Sequence, residues 1–176
     1  EPVMCDNVEY PGMRIKTGAS IVKSIVTDSE ILMLRTDNGI CVFIEKTKTK
    51  ISGFDLFKHS LKLSASLLYS EEPCDAVIPF VTMDDQPDMA WLLGLQAENT
   101  NMFINQAIQQ NKLKITLDGI HAESATVLGA SRGISLGNER PQFIIDGPFN
   151  IWMAYGDPEL EYFPLLTAYV TPDHWK

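Results

Sequence analysis

Short apolar runs separated by turn residues constrain this chain more than any other feature. Ile31-Leu32-Met33-Leu34 and Ile40-Cys41-Val42-Phe43-Ile44 flank Thr36-Asp37-Asn38-Gly39. Asn-Gly tolerates the positive φ of a tight turn, so the two runs predict a hairpin of buried strands. Ile21, Val22, Ile25 and Val26 lead into it. Ala76-Val77-Ile78-Pro79-Phe80-Val81 predicts another strand, and Lys112-Leu113-Lys114-Ile115-Thr116-Leu117 alternates as a half-buried strand does. Near the end, Phe143-Ile144-Ile145, Phe149 to Met153 and Leu165 to Val170 return to buried-strand character, with Gly156-Asp157-Pro158-Glu159 as a turn.

Helical spacing is confined to two places. Phe54, Leu56, Phe57, Leu61, Leu63, Leu67 and Leu68 recur at helical intervals. Met89-Ala90-Trp91-Leu92-Leu93 predicts a short helix that Gly94 stops, with Asp84, Asp85 and Asp88 as acidic caps rather than cation ligands. Residues 119–141 form a small-residue stretch without apolar periodicity, expected to be a long exposed loop. The sum is a single α+β domain over residues 1–176: antiparallel strands, two or three short helices and that loop.

Composition narrows the function. The chain is 45% hydrophobic and 21% charged, which a folded domain requires and a disordered tail lacks. Its 176 residues carry a net charge of -9, which opposes a non-specific grip on phosphate backbones, so no nucleic-acid partner is expected. Lys46-Thr47-Lys48-Thr49-Lys50 reads as a solvated loop. No apolar run reaches the roughly 18 residues of a membrane-spanning helix. Cys5, Cys41 and Cys74 share no metal-ligand spacing, and their odd number leaves at least one thiol free or paired outside the chain. The chain opens on Glu1, which points to a removed N-terminus.

Catalytic patterns are missing. His59, His121 and His174 stand apart from the cysteines in sequence, and there is no GxSxG, HExxH, GxGxxG or Gly-Lys-Ser loop. Gly129-Ala130-Ser131-Arg132-Gly133 lacks the lysine and glycine spacing of a phosphate cradle. The chain is not expected to be an enzyme, and no metal or other cofactor is implied.

The order of elements resembles the C-terminal half of a serpin domain. Ser29 to Leu34 followed by Gly39 to Ile44 is similar to a serpin hairpin of buried aliphatics. Ala76 to Val81 followed by Asp88 to Leu95 resembles the family's strand with a central proline and its short helix ending Leu-Gly. Ile104 to Leu117 is similar to the segment entering the last strand of the main sheet. Phe143-Ile144-Ile145-Asp146-Gly147-Pro148-Phe149 resembles the signature that follows the reactive loop, and Leu165 to Pro172 the final barrel strand.

The resemblance implies a reactive-loop hinge at Glu123, Ser124, Ala125 and Thr126, and an exposed reactive loop over 124–137. Arg132, Ile134, Ser135 and Leu136 become the candidate bait positions. Departures bear on activity. Gly147 and Asn150 replace a long polar residue and an aliphatic of the signature, Gly119-Ile120-His121-Ala122 replaces the family's Glu-Glu-Gly-Thr/Ser, and Val127 and Leu128 bring bulk early. Inhibitory serpins insert the cleaved loop into the main sheet as a strand, and bulk at the wrong parity opposes insertion. A complete serpin is also twice this length.

The expected function is therefore a serpin-derived, non-inhibitory binding or structural protein. The alternatives are a serine protease inhibitor acting through 124–137, and an unrelated α+β binding domain. The implied partners are a serine protease, if inhibitory, or an N-terminal serpin-like fragment or second chain completing the sheet. Secretion is what the family resemblance favours.

Overall fold

The structure is a computed structural model that describes residues 1–36, 39–67, 71–85, 111–122, 125–127, 140–157 and 160–176. In chain order its elements are β1 (Val3–Cys5), β2 (Val8–Tyr10), β3 (Gly12–Ile15), β4 (Ala19–Lys23), β5 (Glu30–Arg35), β6 (Ile40–Lys46), α1 (Gly53–Ser64), β7 (Glu72–Pro73), β8 (Asp75–Pro79) and β9 (Val81–Asp85). There follow β10 (Asn111–Thr116), β11 (Gly119–Ala122), β12 (Ala125–Val127), β13 (Gln142–Ile144), β14 (Phe149–Asp157), β15 (Leu160–Val170) and a 3-10 turn, Pro172–His174.

The largest sheet runs β15-β14-β6-β5-β4-β7, and every pairing in it is antiparallel. Its central strands have no polar face because both faces are covered. Leu32, Leu34, Val42, Ile44, Ile151 and Met153 point to one side, into a core shared with the smaller sheets. Ile31, Met33, Cys41, Phe43, Trp152 and Ala154 point to the other, where Leu63 of α1 meets them. Side chains alternate along a strand, so an unbroken apolar run fills two cores at once. Phe43 and Trp152 stack at 5.3 Å in the second core.

α1 buries Leu56, Ser60, Leu63 and Ser64. The two serines give the helix a small-residue face, and the Trp152 Nε1–H donates to Ser64 Oγ at 2.9 Å. The hairpin turn expected at Asn38-Gly39 is built as anticipated at its described end: Gly39 has φ of 80°, and the Thr36 N–H and hydroxyl both donate to the Ile40 carbonyl.

The β1–β2 hairpin, through Val3 and Cys5, and two further sheets cover the first core. In one, β8 is central, parallel to β13 and antiparallel to β3. The other runs β12-β11-β10-β9, antiparallel throughout. At Gly12 the backbones approach so closely that a Cβ would lie 2.6 Å from the Ile78 carbonyl oxygen.

Several expectations need correction. The run Ala76 to Val81 is not one strand. It breaks at Phe80, whose N–H donates to the Pro11 carbonyl, and its two parts enter different sheets. Asp84 and Asp85 end β9 rather than cap a helix, because Lys112 and Asn111 of β10 lie opposite them. Ile25 and Val26 are exposed in the turn after β4, and Phe54 is 71% exposed on α1. The expected helix at Met89–Leu93 and Asp88 lie outside the described residues.

The loop expected over 119–141 does not begin where anticipated. Gly119–Ala122 is a strand in register with β10, and Ala125–Val127 a strand in register with Gly119–Ala122. Ile120 decides this, because it is the apolar residue that the first core takes up.

Candidate functional site

The β9–β12 sheet holds the described part of the expected hinge. After Thr116 the chain turns on Leu117-Asp118, and Gly119, with φ of 128°, opens the return strand. That backbone conformation suits a residue without Cβ. Ile115 then lies opposite Ile120, and Leu113 opposite Ala122. Leu113, Ile115 and Ile120 are all buried, which fixes the register of the hairpin, since a one-residue slip would turn Ile120 to solvent. β12 adds outside β11, with Thr126 opposite His121 and Val127 opposite Ile120.

Of the expected hinge, Ala125 and Thr126 therefore lie in β12, while Glu123 and Ser124 fall outside the described residues. So do the bait positions Arg132, Ile134, Ser135 and Leu136. The structure brings Ala125 and Thr126 to the outermost strand of the sheet.

A second polar constellation, which the sequence reading missed, joins α1 to the large sheet. Glu45 is buried at the end of β6, its Oε2 2.7 Å from His59 Nε2 of α1 and 3.0 Å from Asn150 Nδ2 of β14, which donates to it. Asn150 itself is fully buried. A buried carboxylate held by two partners is a positioning device that ties helix to sheet. The buried Ser60 hydroxyl, next to His59 in sequence, makes no hydrogen bond to the imidazole. The signal was present: single polar residues interrupt the runs at Glu45 and Asn150.

Nucleophilic chemistry finds no support at the cysteines. Cys5, Cys41 and Cys74 are buried and unpaired. Burial pushes all three thiols upward, with Cys74 reaching about 11, and a thiol held neutral is a poor nucleophile. Among the described residues no group of His, Cys, Asp and Glu could hold a metal ion. No described helix is long and apolar enough to cross a membrane.

No sequence-family model and no curated protein matches the chain. Solved structures do. Serpin48 from the insect Tenebrio molitor superposes with a TM-score of 0.59 at 14% identity, over 93% of this chain and 46% of that one. A serpin from the trematode Schistosoma haematobium gives 0.61 at 18% identity, over 97% and 50%. Thyroxine-binding globulin in complex with thyroxine gives 0.62 at 13%, over 97% and 49%. The fold is that of the C-terminal half of a serpin domain.

The chain spans about half the length of the serpin structures that it matches. At this level of identity the likeness is one of fold. Asn150, which departs from the serpin signature, is here the side chain that holds Glu45.

Proposed function

We propose that this chain is a serpin-derived protein that serves binding or structure without inhibiting proteases. One observation carries the reading: β10 is flanked on both sides by this chain's own strands, β9 and β11. Inhibition by loop insertion needs an open place beside Lys112–Thr116 and a hinge that reaches it only after cleavage. Here the residues directly after β10 already occupy that place, joined to it by a two-residue turn. A strand that is already in the sheet leaves little conformational energy to release. The partner that goes with this reading is a serpin-like N-terminal segment or a second chain that completes the sheet.

The experiment is incubation with trypsin-like and elastase-like serine proteases, reading covalent adducts and melting temperature together. The proposal expects no SDS-resistant complex and no thermal gain after any cut between Arg132 and Leu136. A covalent complex with a stabilised cleaved product would instead establish an inhibitor acting through 124–137.

A further inference from the structure

We infer that the joint between α1 and the large sheet is a binding site for one water molecule, held between the Ser60 hydroxyl and the Asn150 side-chain carbonyl. Both residues are fully buried, and neither Ser60 Oγ nor Asn150 Oδ1 has a hydrogen-bond partner among the described residues. A buried polar atom left unpaired costs about as much as a lost hydrogen bond, so two at one joint point to an occupant that satisfies both.

The amide cannot turn round to remove its part of the deficit. Asn150 Nδ2 donates to the buried Glu45 carboxylate at 3.0 Å, and the exchanged orientation would set two acceptors against each other. Glu45 stands directly opposite Asn150 on β6, so the amide nitrogen faces β6 and Oδ1 faces away from it. On that other side the cross-strand neighbour is Tyr169 of β15, whose hydroxyl donates to the Lys48 carbonyl. The donor that Oδ1 needs therefore comes from the α1 side.

Two contacts fix how α1 lies on the sheet. Ser64 Oγ accepts from Trp152 Nε1, and His59 Nε2 meets Glu45, the residue opposite Asn150. Four helical residues rise about 6 Å, and two strand residues about 6.6 Å. The step from Ser64 back to Ser60 therefore matches the step from Trp152 back to Asn150. Successive helix residues turn by about 100°. That puts His59 on the flank over β6 and Phe57 on the flank where it meets Phe163 of β15, with Ser60 between them over β14. Ser60 and Asn150 thus face each other across the joint without bonding directly.

The occupant must be small, and it must both donate and accept. Water donates to Asn150 Oδ1 and accepts the Ser60 proton, which gives it the two partners that a buried water needs at least. Serine on the inner face of α1 leaves room that a larger side chain would fill. A metal ion fits poorly, because Glu45 Oε2 is already engaged by two side chains, Asn150 and His59.

Diffraction from crystals of the full chain, at a resolution that shows ordered water, tests this directly. The inference expects one water within hydrogen-bond distance of both Ser60 Oγ and Asn150 Oδ1. A direct hydrogen bond between the two side chains, an occupant with the short contacts of a metal ion, or both atoms unpaired would overturn it. Ser60→Ala adds a solution readout that separates a bridged hydroxyl from an idle one. A bridged hydroxyl predicts a melting temperature lower by about 2–4 °C, the shift expected for one lost hydrogen-bonded link at this chain length. An unchanged or higher one would mean an idle hydroxyl, because alanine removes a buried polar group and favours the helix. In an Asn150→Val background Ser60→Ala should cost clearly less, since the water has already lost its other anchor, and an equal loss in both backgrounds would overturn the bridge. The crystal and the single variant decide the matter even where Asn150→Val does not fold.

Discussion

Ile120 stands directly opposite Ile115 across the β10–β11 ladder, and both side chains are buried in the same core. The pair turns residues expected to begin a free loop into the third strand of a sheet. The proposed function rests on it, because the position beside β10 is the one that an inserting loop would need.

Truncating Ile120 should therefore cost stability as a core residue does. Ile120→Ala should lower unfolding free energy by about 2–4 kcal/mol, the range for a buried large-to-small change. Urea denaturation followed by fluorescence measures it. A loss under about 0.5 kcal/mol, typical of a surface site, would place Ile120 in solvent.

The Glu45–His59–Asn150 constellation makes a different prediction. Glu45→Ala leaves the buried Asn150 amide without its acceptor and should cost about 2–4 kcal/mol. Asn150→Ala and His59→Ala should each cost less than the carboxylate's removal. A double-mutant cycle between positions 45 and 150 should return a coupling of about 1 kcal/mol or more, as contacting groups do. Additive losses would dissolve the constellation into separate contacts.

Backbone proximity sets the third. Gly12→Ala would push a methyl within 2.6 Å of the Ile78 carbonyl and 2.9 Å of the Val3 side chain. Separating β3 from β8 to admit it should cost about 1–3 kcal/mol, the range for overpacking. Thermal denaturation should show a lower midpoint, and an unchanged one would mean that the strands are further apart.

The thiols predict reactivity and a pH trend. Cys74 has its thiol raised from 9.0 to about 11 in the fold, with burial as the largest cause. Between those values the unfolded chain sheds the proton while the folded chain keeps it, so stability present below pH 9 falls as pH rises toward 11. A thiol reagent at pH 8 should label none of Cys5, Cys41 and Cys74 in the folded chain and all three in denaturant. Rapid labelling of Cys74 in the native state would contradict its burial.

Much of this fold was legible because its strands are covered on both faces. Ile31 to Leu34 and Ile40 to Ile44 are apolar at every position, so no question of which face arises, and Gly39 marks the turn between them. What stayed hidden depends on distant partners. Nothing local in Gly119-Ile120-His121-Ala122 reads as a strand until Ile115 offers a ladder and a core. Nor does helical spacing alone show which side of α1 is inner. Phe54 and Phe57 are more apolar than Ser60 and Ser64, yet the serines are the buried ones, where Trp152 needs an acceptor and Phe43 stacks behind it. The serpin likeness was readable from the order of elements, whereas the hinge residues gave no sign that Ala125 and Thr126 would join the sheet.

The central claim is that the chain fills the place beside β10 with its own next strand. Hydrogen–deuterium exchange at the amides of residues 119–127 in the intact chain tests it most directly. The account predicts slow exchange for the Gly119 and His121 amides, which face β10, comparable to the Thr116 and Lys114 amides opposite them. Exchange within seconds across the whole of 119–127, with β10 still protected, would mean an exposed hinge and an open place in the sheet, and would return the inhibitory mechanism to this chain.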